Sequence, residues 1–258
     1  MDPPKSHSEA LREAMAEDRK LRRWALITGS TRGLGLHLAL QLSHARWNLI
    51  LHGRSIEMLE AAAKTVEVWG EGHPGGTGLV DLVVGDISLP ATQYDLARIA
   101  TDRKISLLIN NAGTYTNQSL DSIEPEAIAY AVAVNLMAPM LLSKMCLAVL
   151  REKQGLIVNI NSMAAHAPSK GESVYAATKA GLEGFSKAWK LETMPIRVID
   201  VFLGAMNTRM TTGRPTPELM IQPEAAARSI CAAIETSNHD SSVRFDSLDL
   251  RRGWYSSR

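Results

Sequence analysis

Cysteine is scarce in this chain, an excess of either charge is missing, and no uncharged apolar run reaches the roughly 18 residues of a bilayer span. Each absence removes a class of function. With 28 basic and 27 acidic residues the formal net charge is +1, without the basic bias of a dedicated nucleic-acid binder. The two cysteines, Cys146 and Cys231, lie in apolar, helix-like stretches and read as buried thiols in a reducing compartment rather than as a disulfide. The seven histidines are scattered and nothing has metal-ligand spacing, so no metal site is expected. The N-terminal stretch is rich in Ser, Glu, Arg and Lys and has no apolar core of signal-peptide length. The expectation is a cytoplasmic protein that engages neither membrane nor nucleic acid.

What the chain does have is alternation. Short apolar runs, β-like in composition, alternate with helix-like stretches, without internal repeats. Of the 258 residues, 45% are hydrophobic, enough for a sizeable core. The pattern predicts an α/β protein: a three-layer, doubly wound parallel sheet in a single domain over residues 24–258. Strands are expected at 24–27, 47–51, 79–84, 105–109, 155–160 and 196–202, with a weak last one at 242–250. Residues 1–23 form a charged extension in which Ser8 would cap a short helix through residues 9–22. Residues 70–78, with five glycines and Pro74, read as a loop.

The first apolar run ends at Thr28-Gly29-Ser30-Thr31-Arg32-Gly33-Leu34-Gly35, and a helix-like stretch follows at 36–45. Strand, glycine-rich turn and helix is the context a dinucleotide-binding turn needs. Glycines let the backbone approach a pyrophosphate, and the helix aims free N–H groups and its positive end at the phosphates. The second strand ends in His52-Gly53-Arg54-Ser55, and no Asp or Glu occurs from Leu36 through Ile56. An acid there would bind the ribose 2′-OH of NAD. Arg54 and Ser55 stand in its place and Arg32 lies in the turn, so the cofactor is read as NADP(H). Asp86, followed by Ile87, stands at the end of the third strand, where it would accept from an adenine amino group; Asp86 or Ser88 would equally cap the next helix. Asn110-Asn111-Ala112-Gly113 closes the fourth strand with residues that let the backbone pass close to a ribose.

Proton chemistry points to Tyr175-Ala176-Ala177-Thr178-Lys179. A Tyr and a Lys four apart on a helix share a face, and an ammonium beside a phenol favours the phenolate. Ser162, at the active edge after the fifth strand, would hold the reacting oxygen. Asn135 is polar on an otherwise apolar helical face within 127–150, a stretch broken at Asn135 and Pro139. It is either structural or the holder of a water that links to Lys179. Residues 203–222 read as a substrate lid in which Thr208 would bond the cofactor. Arg209 and Arg214 are solvated lid charges or anion binders, and Met163, His166 and Ala167 would shape the pocket, with His166 a pocket wall or a solvated residue rather than a second acid.

Together these motifs resemble the short-chain dehydrogenase/reductase family, in its branch of single-domain enzymes of roughly 250 residues. They occur in the family's order from Trp24 to about Thr208. The resemblance implies a catalytic tetrad of Asn135, Ser162, Tyr175 and Lys179, and nicotinamide contacts around Leu203, Gly204 and Thr208. It implies hydride transfer between NADP(H) and a small carbonyl or alcohol substrate, in a homodimer or homotetramer. A dehydrogenase or epimerase acting on a hydroxylated substrate would use the same tetrad, and a silent NADP-binding sensor would use only the turn. Two features depart from the family pattern. Leu203 precedes Gly204 where the family usually has proline, a loss of rigid φ that would loosen the loop. The chain also lacks the glycine-rich ending common among tetrameric members; Ser247-Leu248-Asp249-Leu250-Arg251-Arg252 is similar to the shorter ending of others.

Overall fold

The computed structural model describes residues 15, 17–71, 76–208, 220–239 and 245–251. Seven parallel strands form one sheet: β1 (Trp24–Ile27), β2 (Asn48–Gly53), β3 (Val80–Val84), β4 (Leu107–Asn110), β5 (Leu156–Ser162), β6 (Arg197–Leu203) and β7 (Ser247–Leu250). Their order is β3-β2-β1-β4-β5-β6-β7. The chain therefore winds outward from β1 to β3, then crosses back to place β4 on the other side of β1. That reversal opens a crevice at the carboxyl ends of β1 and β4.

Burial on both faces explains the unbroken apolar runs. Ala25 and Ile27 of β1 join one core cluster while Trp24 and Leu26 join the other. Period-2 side chains need two apolar faces only when helices cover both sides of a sheet. Those helices are α1 (Gly33–His44), α2 (Ile56–Glu71), α3 (Pro90–Asp102), α4 (Pro125–Val132), α5 (Ala138–Met145), α6 (Leu147–Glu152), α7 (Ser173–Glu192) and α8 (Pro223–His239). Together they make the three-layer, doubly wound single domain that the alternation predicts.

Several boundaries differ from the sequence expectation. Gly70 belongs to α2 rather than to the loop after it. Neither Asp86 nor Ser88 caps α3: the N-cap is Leu89 and Pro90 opens the helix, its missing N–H being one that needs no helical partner. The last strand is confined to Ser247–Leu250 among the described residues. Residues 17–21 are helical. Arg22 bonds Asp18 at 2.7 Å, and Asn48 Nδ2 donates to the Arg19 carbonyl at 2.7 Å, which pins this extension to the start of β2. The predicted cap Ser8, and Arg209 and Arg214 of the lid, lie outside the described residues.

The stretch from Pro125 to Met145 is long and apolar enough, on length and composition, to cross a membrane, with a mean hydropathy of 1.5. Here it serves as a layer of the core: Ala131, Val134, Ala138 and Leu142 are buried along it. Cys146 and Cys231 are free and buried, and burial pushes both thiols up to about 12.

Leu203 does not loosen the edge it occupies. It pairs with Ser162 of β5 and Leu250 of β7, and the Gly204 N–H reaches the Leu250 carbonyl at 2.9 Å. A proline at 203 would have no N–H to offer that ladder.

Candidate active site

A cleft of about 700 Å³ runs along the carboxyl ends of β1, β2, β4, β5 and β6. One end is built by the glycine turn. Gly29 sits at φ 65°, and a Cβ there would lie 2.9 Å from Ala112 Cα. A Cβ on Gly35 would lie 2.3 Å from the Gly29 carbonyl oxygen and 2.6 Å from Asn111 Nδ2. No side chain fits in either place. Asn111 locks the turn, donating from Nδ2 to the carbonyls of Thr28 and Gly29 at 2.9 Å each. Thr28 Oγ1 answers by accepting the N–H groups of Asn111 and Ala112. α1 starts at Gly33 with no side-chain cap and no acid in its first turn, so its first N–H groups and positive end face the cleft uncompensated.

His52 is the brace the sequence reading passed over. Its Nδ1 accepts the Gly29 N–H at 3.2 Å, and its Nε2 meets the Gly85 carbonyl at 3.1 Å. Those partners fix a neutral ring with the hydrogen on Nε2. Burial holds its pKa down at about 4, more strongly than the bond to Gly85 and the charge of Asp86 raise it. The hint in the sequence is its place at the end of β2, opposite the glycine turn. Ser30, expected as a cofactor contact, is fully buried instead and exchanges hydrogen bonds with the His52 backbone. Ser55 likewise turns from the cleft: its hydroxyl accepts the Met58 N–H at the start of α2.

Thr31, Arg32, Gly33, Leu34, Arg54, Asp86, Ile87, Ala112, Gly113, Gly204 and Thr208 all line the cleft where the motif reading puts them. Asp86 accepts the N–H and hydroxyl of Ser88 on Oδ1 and the Tyr130 hydroxyl on Oδ2. Burial alone would raise its pKa, but these bonds and the Arg54 charge outweigh it and hold the carboxyl below its usual range.

At the other end stand Ser162, Tyr175 and Lys179. Ser162 Oγ accepts the Ala164 N–H at 3.2 Å, which leaves its own hydrogen to give to a substrate oxygen. Lys179 is 5% exposed and donates to the Ile160 carbonyl at 2.9 Å. Its Nζ lies 5.8 Å from the Tyr175 ring centroid, and desolvation pushes its pKa down to about 8. The edge of Tyr115 packs on the Tyr175 ring, centroids 5.0 Å apart at 80°. Tyr115 is held by a 2.7 Å bond to Glu172, which also accepts the Ser169 N–H. Tyr115 and Glu172 were not legible as site residues, because nothing local marks a contact 57 residues apart.

Asn135 stands behind the wall rather than on it. Its amide is spent on Thr114, accepting the N–H and donating to the carbonyl at 2.8 Å each, and on Thr178 Oγ1 at 3.3 Å. Its backbone is the more telling part. The helix slips into a π turn over Ala133–Met137, where the Ala138 N–H reaches back five residues to Ala133. Pro139 follows and has no N–H for the carbonyl four residues earlier, which is that of Asn135. Two adjacent features thus deprive that carbonyl of its α-helical donor next to Val134, which lines the cleft. Of the two places open to His166, pocket wall or solvated residue, the structure gives it the second, its side chain 40% exposed. It bonds Glu183 at 2.8 Å and stacks on Phe202, while Met163 and Ala167 do line the cleft.

Comparison with known proteins agrees with this geometry. The family model described as short chain dehydrogenase matches residues 23–218. The chain belongs to this family. As a short-chain oxidoreductase it is 32% identical over 193 residues to a 3-oxoacyl-(acyl-carrier-protein) reductase of Chlamydia trachomatis, a match covering 72% of this chain and 75% of that protein. It is 31% identical over 169 residues to a very-long-chain 3-oxoacyl-CoA reductase of Mycosarcoma maydis, covering 64% of this chain and 47% of that protein. The chain thus spans about half the length of the Mycosarcoma protein. Among solved structures, an alcohol dehydrogenase from Thermococcus sibiricus complexed with 5-hydroxy-NADP superposes with a TM-score of 0.80. At 22% identity, over 91% of this chain and all of that one, the likeness is one of fold.

Proposed function

We propose that this short-chain oxidoreductase is NADP(H)-dependent and interconverts a carbonyl and an alcohol, with Tyr175 as the acid and base. The observation that carries the reading is the shared cleft: Ser162, Tyr175 and Lys179 line the same space as the glycine turn. Two glycines whose Cβ positions are already filled by backbone and amide atoms support a turn built for close approach of a pyrophosphate. Gly29 to Gly35 and the start of α1 would hold the phosphates, Arg32 and Arg54 the extra ribose phosphate, and Lys179 and Thr208 the nicotinamide half. When bound, the cofactor exchanges a hydride with the substrate carbon.

The chain's own work is then the proton. Tyr175 gives it to the carbonyl oxygen in reduction and takes it back in oxidation. Ser162 donates to that oxygen and orients it. Lys179, protonated at neutral pH with a pKa near 8, keeps a positive charge beside the phenol. The Asn135 carbonyl, lacking an N–H from Pro139, is a ready acceptor for a water on the route from Lys179 to solvent. The 3-oxoacyl reductases among its relatives support reduction of a carbonyl as the direction.

A homodimer or homotetramer in the cytoplasm completes the proposal. Met137, half exposed on the outer face of the long helix, supports self-association. The balanced charge and the two free thiols support a reducing compartment without nucleic-acid partners.

The test is cofactor consumption with a panel of ketones and alcohols, comparing NADPH with NADH. Arg32 and Arg54 predict a kcat/KM at least about tenfold higher with NADPH. A preference for NADH would remove the cofactor assignment, and no turnover of any carbonyl or alcohol would remove the reaction. Gly35→Ala should weaken NADPH binding by roughly 10–100-fold, since overpacking costs about 1–3 kcal/mol. Fluorescence titration measures it, and unchanged affinity would show that the turn does not seat the dinucleotide.

A further inference from the structure

The end of the cleft away from Tyr175 holds a linked trio that the proton chemistry does not use. Tyr130, on α4, donates its hydroxyl hydrogen to Asp86 Oδ2 at 2.9 Å. The Tyr130 hydroxyl oxygen itself accepts from Arg54 NH1 at 3.3 Å. Asp86 Oδ1 is already filled by the Ser88 N–H at 2.9 Å and the Ser88 hydroxyl at 2.7 Å. All of Arg54, Asp86 and Tyr130 line the cleft. Among the described residues, Arg54 forms no ion pair, although a carboxylate stands one oxygen atom away.

That arrangement calls for a physical reason. A guanidinium and a carboxylate this close gain more from a direct, two-bond contact than from a shared neutral bridge. An arginine committed to such a contact belongs to a neutral pair and has two of its five donors withheld from any incoming phosphate. Tyr130 prevents this by standing between the two, its one oxygen satisfying both. Burial and the bond to Asp86 raise the pKa of its hydroxyl, so the bridge stays protonated and neutral at any ordinary pH. Ser88 holds the far side of the same carboxylate, so Asp86 has little freedom to swing toward Arg54.

We propose that Tyr130 is a cofactor-selecting residue: a neutral spacer that keeps Arg54 from closing on Asp86 and so keeps its guanidinium available to the ribose phosphate of NADP(H). The proposal rests on the reading of Arg54 as a phosphate contact and goes beyond it by naming what keeps that contact open. Tyr130 acts through Arg54, as a positioning residue. Its signature is a change in discrimination between the two cofactors rather than in affinity for both.

The experiment measures dissociation constants of NADPH and NADH by fluorescence titration in the full chain, in wild type, Tyr130→Phe, and Tyr130→Phe with Asp86→Asn. NADH contains the same adenine and turn contacts, so its affinity reports any general damage to the site or the fold. Wild type is expected to favour NADPH. Tyr130→Phe should lower the NADPH:NADH preference about tenfold, through weaker NADPH binding. Adding Asp86→Asn should restore the preference, because no carboxylate is left to capture Arg54. An unchanged preference in Tyr130→Phe overturns the spacer, as does a double variant that stays at the reduced value. Equal loss of both cofactors would also overturn it, showing that Tyr130 merely shapes the adenine pocket. If wild type itself shows no NADPH preference, the cofactor reading is what fails, and the spacer has no phosphate to serve.

Discussion

Tyr175→Phe will cut turnover by roughly 10²–10⁴, the usual worth of a positioned acid or base, and will leave NADPH affinity within about threefold. The substitution removes one oxygen and keeps the ring. The edge contact with Tyr115 at 5.0 Å and the approach of Lys179 at 5.8 Å both survive it. Binding and chemistry should therefore separate: titration with NADPH looks normal while consumption of NADPH with a ketone substrate nearly stops. Residual turnover within about tenfold of wild type would mean that another group moves the proton, and the proposed role of Tyr175 would be lost.

Lys179→Met should lose activity on a similar scale, yet gain or retain stability. Lys179 is buried, and desolvation brings its pKa from 10.5 to about 8. At pH 7 the group is protonated folded and unfolded alike, so folding bears the whole penalty, roughly 3 kcal/mol. Methionine removes that penalty. It also removes the 2.9 Å bond to the Ile160 carbonyl, a loss of about 1–3 kcal/mol. The balance at pH 7 runs from no change to a gain of about 2 kcal/mol. The sign of the pH dependence is the sharper readout. The folded pKa lies below the unfolded one, so between about pH 8 and 10.5 the unfolded chain binds more protons. Wild-type stability gains a rising contribution across that window, and the methionine variant lacks it. Denaturant melts of both proteins at pH 7, 9 and 10.5 measure the difference. Parallel curves would show that the ammonium is not desolvated as its burial implies.

The sheet was legible where the physics is local. Runs such as Trp24–Ile27 and Leu156-Ile157-Val158 are apolar at consecutive positions because helices cover both faces, and that pattern needs no partner to be seen. The glycine turn was legible for the same reason. Its residues are small because backbone and amide atoms fill the space, and the helix that follows starts within the motif itself. Asn135 stood out as a polar group on an apolar helix, but what it does was not readable. Its amide braces Thr114 and Thr178, and Pro139 after the π turn has no N–H for its carbonyl. Ser30 and Ser55 fell in the right motif and yet face away from the cleft, since a hydroxyl turns to whichever partner the fold supplies.

By itself, then, the amino-acid order determined the strands, the glycine turn and the paired Tyr175 and Lys179, because each depends on neighbours within a few residues along the chain. Only the tertiary structure decided that His52 braces Gly29, that Glu172 holds Tyr115 against Tyr175, and that Tyr130 stands between Arg54 and Asp86. Those contacts join positions 23 to 76 residues apart, and their energies depend on a few tenths of an ångström between side chains brought together only when the sheet is wound.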